Sequence, residues 1–129
     1  MKTIRETREI AVVAGVDVLI AGGGPAGIAA AAAAARCGVS VMLIERYGCL
    51  GGLATGGLVL LMDHLYDSDG KRCIGGITWE LMERLDAIGG LAGKGTTRLH
   101  ADSELLKIAA DQLCLESGVA LRFHSWIGD

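Results

Sequence analysis

Asp17-Val-Leu-Ile-Ala-Gly-Gly-Gly-Pro-Ala-Gly27, followed by seven consecutive alanines and then Val41-Met-Leu-Ile-Glu45, is the stretch that decides the fold. The apolar run from Val16 to Ala21 has the length and continuity of a buried parallel strand. The alanines, Ala29 to Ala35, fall in a helix predicted over Ile28 to Arg36, since alanine favours helix and leaves little bulk between helix and sheet. Gly38 stops that helix, and Val39, Val41 and Leu43 supply a second strand. Gly22, Gly24 and Gly27 fill the pattern G-x-G-x-x-G where the first strand turns into the helix. In such a turn the first glycine permits the tight bend and the second lets a pyrophosphate approach the backbone. The third lets the helix sit close against the strands. The helix then begins with free N–H groups and the positive end of its dipole aimed at phosphates. Glu45, roughly 20 residues beyond the loop, stands where such units carry an acid that accepts hydrogen bonds from a ribose diol. The glycine spacing alone is a weak signal in a chain with 20 glycines. The strand before it and the helix after it make it specific. An acid at position 45 disfavours a 2′-phosphate, and Arg46 beside it keeps that ligand open.

Composition bounds the rest. The 129 residues have the size of one domain. A net charge of −3 and a pI near 5.6 leave no basic footprint, so nucleic acid is not an expected partner. An apolar fraction of 51% with mean hydropathy +0.44 is high for a soluble domain. Alanine accounts for part of it; the remainder points to apolar surface covered by another domain, a second copy or a partner chain. Glycine and charge interrupt the apolar stretches before the ~20 residues of a membrane span. The N-terminus, with Lys2, Arg5, Glu6, Arg8 and Glu9, lacks a secretory apolar core. No membrane contact and a cytoplasmic location are therefore expected. Cys37, Cys49, Cys73 and Cys114 show neither C-x-x-C spacing nor a zinc-ligand histidine, so no metal site is expected. Cys37 and Cys114 are expected in the core, and Cys49, in the loop after Glu45, is a candidate for redox chemistry or for packing.

After Glu45 the chain turns glycine-rich again: Arg46-Tyr-Gly-Cys-Leu-Gly51-Gly52-Leu-Ala-Thr55-Gly-Gly57. A plain NAD-binding unit has no need for a second glycine loop directly after its second strand. Residues 16–57 resemble the N-terminal FAD-binding region of the two-dinucleotide-binding-domain flavoproteins. Within these they match FAD-dependent oxidoreductases carrying strand–G-G-G-P-A-G–helix–E-R-Y-G-x-L-G-G-x-A-T. The first domain of that group is similar to those of glutathione-reductase-type enzymes, succinate dehydrogenase/fumarate reductase flavoproteins and thiazole synthases. The resemblance implies that Gly22, Gly24, Pro25, Ala26 and Gly27 lie on the pyrophosphate, Glu45 on the adenosine ribose and Arg46 near the adenine. It implies that Gly51, Gly52, Ala54 and Thr55 line the path toward the flavin.

Further along, Leu58 to Met62 is apolar and Asp67-Ser-Asp-Gly70 reads as a turn, which predicts a short hairpin ending near Ile74. Asp63, His64 and Tyr66 are the cluster that most resembles an acid–base set, although a histidine at the end of an apolar run also has a structural reading. Ile77, Leu81, Leu85 and Ile88 mark one face of an amphipathic helix that Gly89-Gly90 stops, with Glu80, Glu83 and Arg84 toward solvent and Trp79 packed. Residues 91–100 read as a polar loop in which Lys94, Arg98 and His100 either meet an anion or are simply solvated. Asp102 or Ser103 caps a third helix with Leu105, Leu106, Ile108, Ala109 and Leu113 on its apolar face. Val119 to Phe123 is a third parallel strand. In the flavoproteins the backbone just after that strand bonds the adenine, and by resemblance this role falls near Trp126 and Ile127.

The expected fold is therefore α/β: a Rossmann-like, three-layer FAD/NAD(P)-binding domain with a parallel sheet, incomplete. Residues 1–129 are read as its N-terminal part, with the substrate domain and the late flavin-contacting motif absent. The expected function is an FAD-binding segment of an FAD-dependent oxidoreductase acting on a small-molecule redox substrate. No catalytic residue is assigned, and the segment is expected to be inactive alone. An NAD(H)-binding Rossmann domain and a non-catalytic nucleotide-binding or interaction module completed by another chain are the alternatives.

Overall fold

The computed structural model describes residues 2–94 and 98–128. In chain order its elements are β1 (Val18–Ala21), α1 (Pro25–Arg36), β2 (Val41–Ile44), a single 3₁₀ turn (Gly52–Ala54), β3 (Leu61–Met62), α2 (Gly76–Ala87), β4 (Leu91–Ala92), β5 (Leu99–Ala101), α3 (Ser103–Glu116) and β6 (Ala120–Arg122). Two parallel pairings build a sheet in the order β1-β2-β6, with Val18 opposite Val41 and Met42 opposite Ala120. Both crossovers step in the same direction, so right-handed connections put α1 and α3 on one face.

Side chains alternate across a strand, which assigns Val18, Ile20, Val41 and Leu43 to the helical face. There they meet Ile28, Ala31 and Ala32 of α1, all buried. The alanine run works as the sequence implies: the small side chains of Ala31 and Ala32, both fully buried, let α1 pack close on the sheet. Leu106, Ala109, Ala110, Leu113 and Cys114 of α3 and Leu81, Met82 and Leu85 of α2 complete the core. The opposite face carries Leu19, Met42 and Ile44, and Val13 to Val16 border a groove along it. Leu19 is 57% exposed, which is where part of the unusual apolar composition lies.

Residues 58–62 and 91–101 depart from the sequence reading. The turn forms as expected: the Asp67 carboxylate accepts from the backbone N–H of Asp69 (3.0 Å) and Lys71 (2.8 Å), and Tyr66 bridges to Arg72. Leu61 and Met62, however, pair antiparallel with His100 and Leu99 of β5, which also pairs with β4. Residues 91–92 and 99–101 are thus strand rather than polar loop, while residues 95–97 of that stretch lie outside the described residues. Turn chemistry is local and readable, whereas two-residue strands joined over long separations carry no periodic signal. The alternation Leu99-His100-Ala101, buried-exposed-buried, is the signal that was there to read. α1 begins at Pro25, three residues early, because proline suits the first helical position, where no N–H partner is available anyway. Cys37 is exposed rather than in the core, since α1 ends at Arg36 and Cys37 forms its C-cap.

An ion-pair chain ties the three helices together. Arg36 of α1 donates to both carboxylate oxygens of Glu80 (2.7 and 2.8 Å), Glu80 also pairs with Arg84, and Arg84 reaches Glu116 of α3 at 2.6 Å. Glu80 is therefore a structural partner rather than a solvated residue of α2. The Arg36 guanidinium, followed by Arg84, holds the Glu80 carboxyl down to about 2 from 4.5. A carboxyl lowered on folding contributes stability above its unfolded pKa and loses it as pH falls through the folded one. Glu80→Gln is expected to lower stability by about 1–2 kcal/mol at pH 7, water screening the half-exposed pairs. In urea titrations the difference from wild type should shrink as pH drops from 4.5 toward 2; a difference that does not change with pH would contradict the assignment.

Candidate cofactor-binding site

The site starts where β1 ends. Gly22 turns the chain with φ +97 and donates its N–H to the Ile44 carbonyl at 2.9 Å. Gly27 is required by close approach: a Cβ there would stand 1.9 Å from the Gly22 carbonyl oxygen. Gly24 is different. Its φ of −71 and ψ of 177 are open to any residue, and a Cβ there would meet nothing within 4 Å. The bareness of Gly24 thus serves no packing need of the chain and keeps clear the space before the first turn of α1. As N-cap, Gly24 offers no side-chain hydrogen bond to the first-turn amides, and that turn contains no acid. At α3, by contrast, Asp102 caps the N–H groups of Glu104 and Leu105. The amides and dipole of α1 remain available to an anion.

The second glycine loop folds back onto the first. Gly51 donates its N–H to the Gly23 carbonyl at 2.8 Å, and a Cβ on Gly52 would lie 3.0 Å from the Gly24 Cα, so the two backbones touch. Gly51 adopts φ +104 above Thr55, whose methyl group would meet a Cβ at 2.3 Å. Thr55 is buried and donates its hydroxyl to the Leu50 carbonyl at 2.7 Å, bracing the loop from beneath. Ala54 packs into the core cluster. Pro25, Ile28, Gly51 and Ala54 border a small apolar cavity of about 80 Å³ between the loop and α2.

Glu45 ties these parts together. It is only 7% exposed, one carboxylate oxygen accepting the Gly23 N–H at 2.7 Å and the other the Tyr47 N–H at 2.9 Å. Its backbone N–H bonds the Arg122 carbonyl, and its carbonyl accepts from Ser125. A carboxylate can accept about four hydrogen bonds, so two sites remain for a ligand. Glu45 lines a cavity of about 390 Å³ with Gly22, Arg46, Tyr47, Gly52, Ser125, Trp126 and Ile127. A second cavity of about 600 Å³ shares the Arg46, Tyr47 and Gly52 walls and continues past Cys49, Leu53 and Thr55 to Gly56 and Gly57. Together they form a trough at the carboxyl ends of parallel strands, the usual ligand position in open α/β sheets.

A profile of the FAD dependent oxidoreductase family matches residues 17–129. The chain belongs to that family. Its cofactor is FAD. Among solved structures, the chain is similar to Thermovibrio ammonificans THI4, at 21% identity over 84% of this chain and 38% of that one, with a TM-score of 0.56. It is similar to the Diels-Alderase PyrE3 from pyrroindomycin biosynthesis, at 16% identity over 87% of this chain and 26% of the other, TM-score 0.56. A third is CabE, an aromatic hydroxylase from angucycline biosynthesis, at 19% identity over 86% and 24% of the two chains, TM-score 0.53. At these identities the likeness is one of fold, and the chain spans between 24% and 38% of the length of these three proteins. No curated protein sequence matches it.

Other residues singled out in the sequence are placed as follows. Asp63 and His64 are 3.9 Å apart, but the His64 side chain is 93% exposed at a backbone φ of 59, and Tyr66 instead packs edge-on against Trp79. No acid–base set is assembled there. Lys94 pairs with Asp86, and Arg98 lies 3.7 Å from Asp63, so these two basic residues lean on acids of the same chain. Cys49 is half-buried on the trough wall. Cys114 is buried, and desolvation pushes its thiol up to about 11, which keeps it out of thiolate chemistry at neutral pH. Among the described residues no cluster of His, Cys, Asp and Glu could hold a metal ion, and no helix is long and apolar enough to cross a membrane. Sequence reasoning missed Gly23 and Tyr47. Gly23, outside the spaced triad, gives the amide that Glu45 accepts, and a Cβ there would stand 2.4 Å from Leu50.

Proposed function

We propose that this chain is the cofactor grip of an oxidoreductase of the two-dinucleotide-binding-domain type, holding the ADP half of FAD. In this reading Gly22, Gly24, Pro25, Ala26 and Gly27 present backbone to the pyrophosphate and Glu45 accepts from the ribose hydroxyls. Arg46 and the backbone at Ile127 serve the adenine, while Gly51, Gly52, Ala54 and Thr55 form and brace the path toward the flavin. The observation that carries it is the contact of two glycine loops, Gly51 to Gly23 at 2.8 Å, beside an uncapped helix start and a Gly24 that packing leaves free. Bound FAD supplies the acceptor of a hydride or electron pair; the residues of this chain bind and orient it. No substrate pocket or proton-transfer group is assigned among the described residues, and the small-molecule substrate is left unassigned. The alternative of an NAD(H)-binding unit is disfavoured by the family match and by the second glycine loop.

Purified protein should be yellow or take up added FAD, with FAD as the chromophore released on denaturation. Colourless protein that binds NADH and rejects FAD would overturn the proposal. Glu45→Ala removes an acceptor that serves both the loop amides and the ribose. Each charge-assisted bond is worth about 1.5–3 kcal/mol, so FAD affinity should fall by roughly 10- to 150-fold in calorimetric titration. Unchanged affinity would put the ribose elsewhere.

A further inference from the structure

Gly23, between the bend at Gly22 and the open space at Gly24, is bare for a reason of its own. A Cβ there would run into the Leu50 Cδ2 methyl and stand 3.2 Å from the Glu45 carboxylate and 3.3 Å from Leu43. The Leu50 methyl thus fills the place of the side chain that Gly23 lacks. Leu50 is fully buried and borders neither cavity of the trough, so a ligand lying there does not touch it. Its main chain serves the other loop: the Leu50 carbonyl accepts the Thr55 hydroxyl at 2.7 Å, and the next residue, Gly51, donates to the Gly23 carbonyl at 2.8 Å. One residue therefore meets the first glycine loop with its side chain and the second with its carbonyl.

Glycine has the widest backbone freedom of any residue, so Gly23 keeps its place only because its neighbours hold it. The Glu45 carboxylate takes its position from the same residue, through the Gly23 N–H at 2.7 Å. The residue after Gly23 is the N-cap of α1. Glu45 and the start of α1 thus share Gly23 as a reference point, and Leu50 sets its height. On the reading given above, one cofactor must reach Glu45 with its ribose and α1 with its pyrophosphate, and a binding constellation works when its parts are held within about 0.5 Å. We propose that Leu50 is a positioning residue of the cofactor grip. Wedged under Gly23, it holds the Glu45 carboxylate and the first turn of α1 at the spacing that one ADP moiety bridges. The inference rests on the FAD-grip reading but names a side chain that touches no part of the cofactor.

The test combines calorimetric binding of FAD and ADP with ¹⁵N amide spectra of the free proteins, for wild type, Leu50→Ala, Leu50→Met and Leu113→Ala. Leu113, a fully buried leucine of α3, is the control for lost packing alone, because both alanine variants remove the same side-chain volume from the core. Leu50→Ala should weaken FAD and ADP about 10-fold and move the Gly23 amide proton upfield, as its short charge-assisted bond to Glu45 lengthens. Leu50→Met, which conserves volume, should keep both affinities within about threefold and leave that amide in place. Leu113→Ala should lose stability in urea yet bind both ligands as wild type does. Where an alanine variant fails to fold by far-UV circular dichroism, Leu50→Val and Leu113→Val are compared in the same way. If FAD and ADP bind Leu50→Ala as tightly as wild type, the positioning role is overturned while the FAD grip stands. Leu113→Ala or Leu50→Met proteins as weak as Leu50→Ala also overturn it. Wild-type protein that binds neither FAD nor ADP overturns both this inference and the reading beneath it.

Discussion

Gly24→Val should abolish FAD binding while leaving the fold intact. The two halves of this expectation have separate physical sources. The backbone at Gly24 is extended, φ −71 and ψ 177, and a Cβ there meets nothing within 4 Å, so a side chain starts into open space. That same space is the approach to the first turn of α1, whose amides carry no side-chain cap. A valine there keeps a pyrophosphate at van der Waals distance from the amides it must contact, a loss on the order of 100-fold or more in affinity, about 3 kcal/mol. Thermal unfolding of the free protein should move by no more than about 3 °C, in line with a surface substitution. Retained FAD binding would refute the placement of the pyrophosphate, and a collapsed fold would refute the claim that Gly24 is free of packing duty.

Gly27→Ala should do the opposite, damaging the fold itself. A Cβ at Gly27 would lie 1.9 Å from the Gly22 carbonyl oxygen, and that carbonyl belongs to a turn fixed by the Gly22–Ile44 hydrogen bond. Neither partner is a flexible side chain, so the start of α1 must pull away from β1, along the interface where Ile28 and Ala31 are fully buried. Overpacking of this kind costs about 3 kcal/mol or more, a drop of roughly 10 °C in thermal midpoint for a chain of this size. An alanine variant that melts with wild type would mean the loop is looser than described.

The contrast between Gly24 and Gly27 also marks how far the sequence could be read. The three glycines of the pattern are equivalent as letters, and the strand, helix and strand around them follow from local apolar runs and alanine propensity, which need no partner to be visible. The parallel sheet and three main helices were legible for that reason. What was not legible depended on distant pairing. The β3–β5 pairing joins Leu61 to His100 through strands too short to show a period. Arg36, Glu80, Arg84 and Glu116 look solvated in sequence because the chain gives no sign that α1, α2 and α3 bring their charges together. At the site, Glu45 was legible by its spacing from the loop, but not its grip on the Gly23 and Tyr47 amides, which arises only once β2 lies beside β1. Thr55 was legible as part of the second loop, whereas its inward hydroxyl bond to Leu50 was not.

The central claim is that the two glycine loops and Glu45 hold the ADP half of FAD. Amide chemical-shift mapping of the ¹⁵N-labelled chain during titration with ADP tests it most directly, because it reads each backbone N–H by itself. The account predicts the largest saturable shifts at Gly22, Gly23, Gly24, Ala26, Gly27, Gly52, Tyr47 and Ile127, and none above background at Tyr66, Trp79 or Lys94. Shifts centred on those last three residues, or no saturable shift at ADP concentrations that saturate the site by calorimetry, would contradict it.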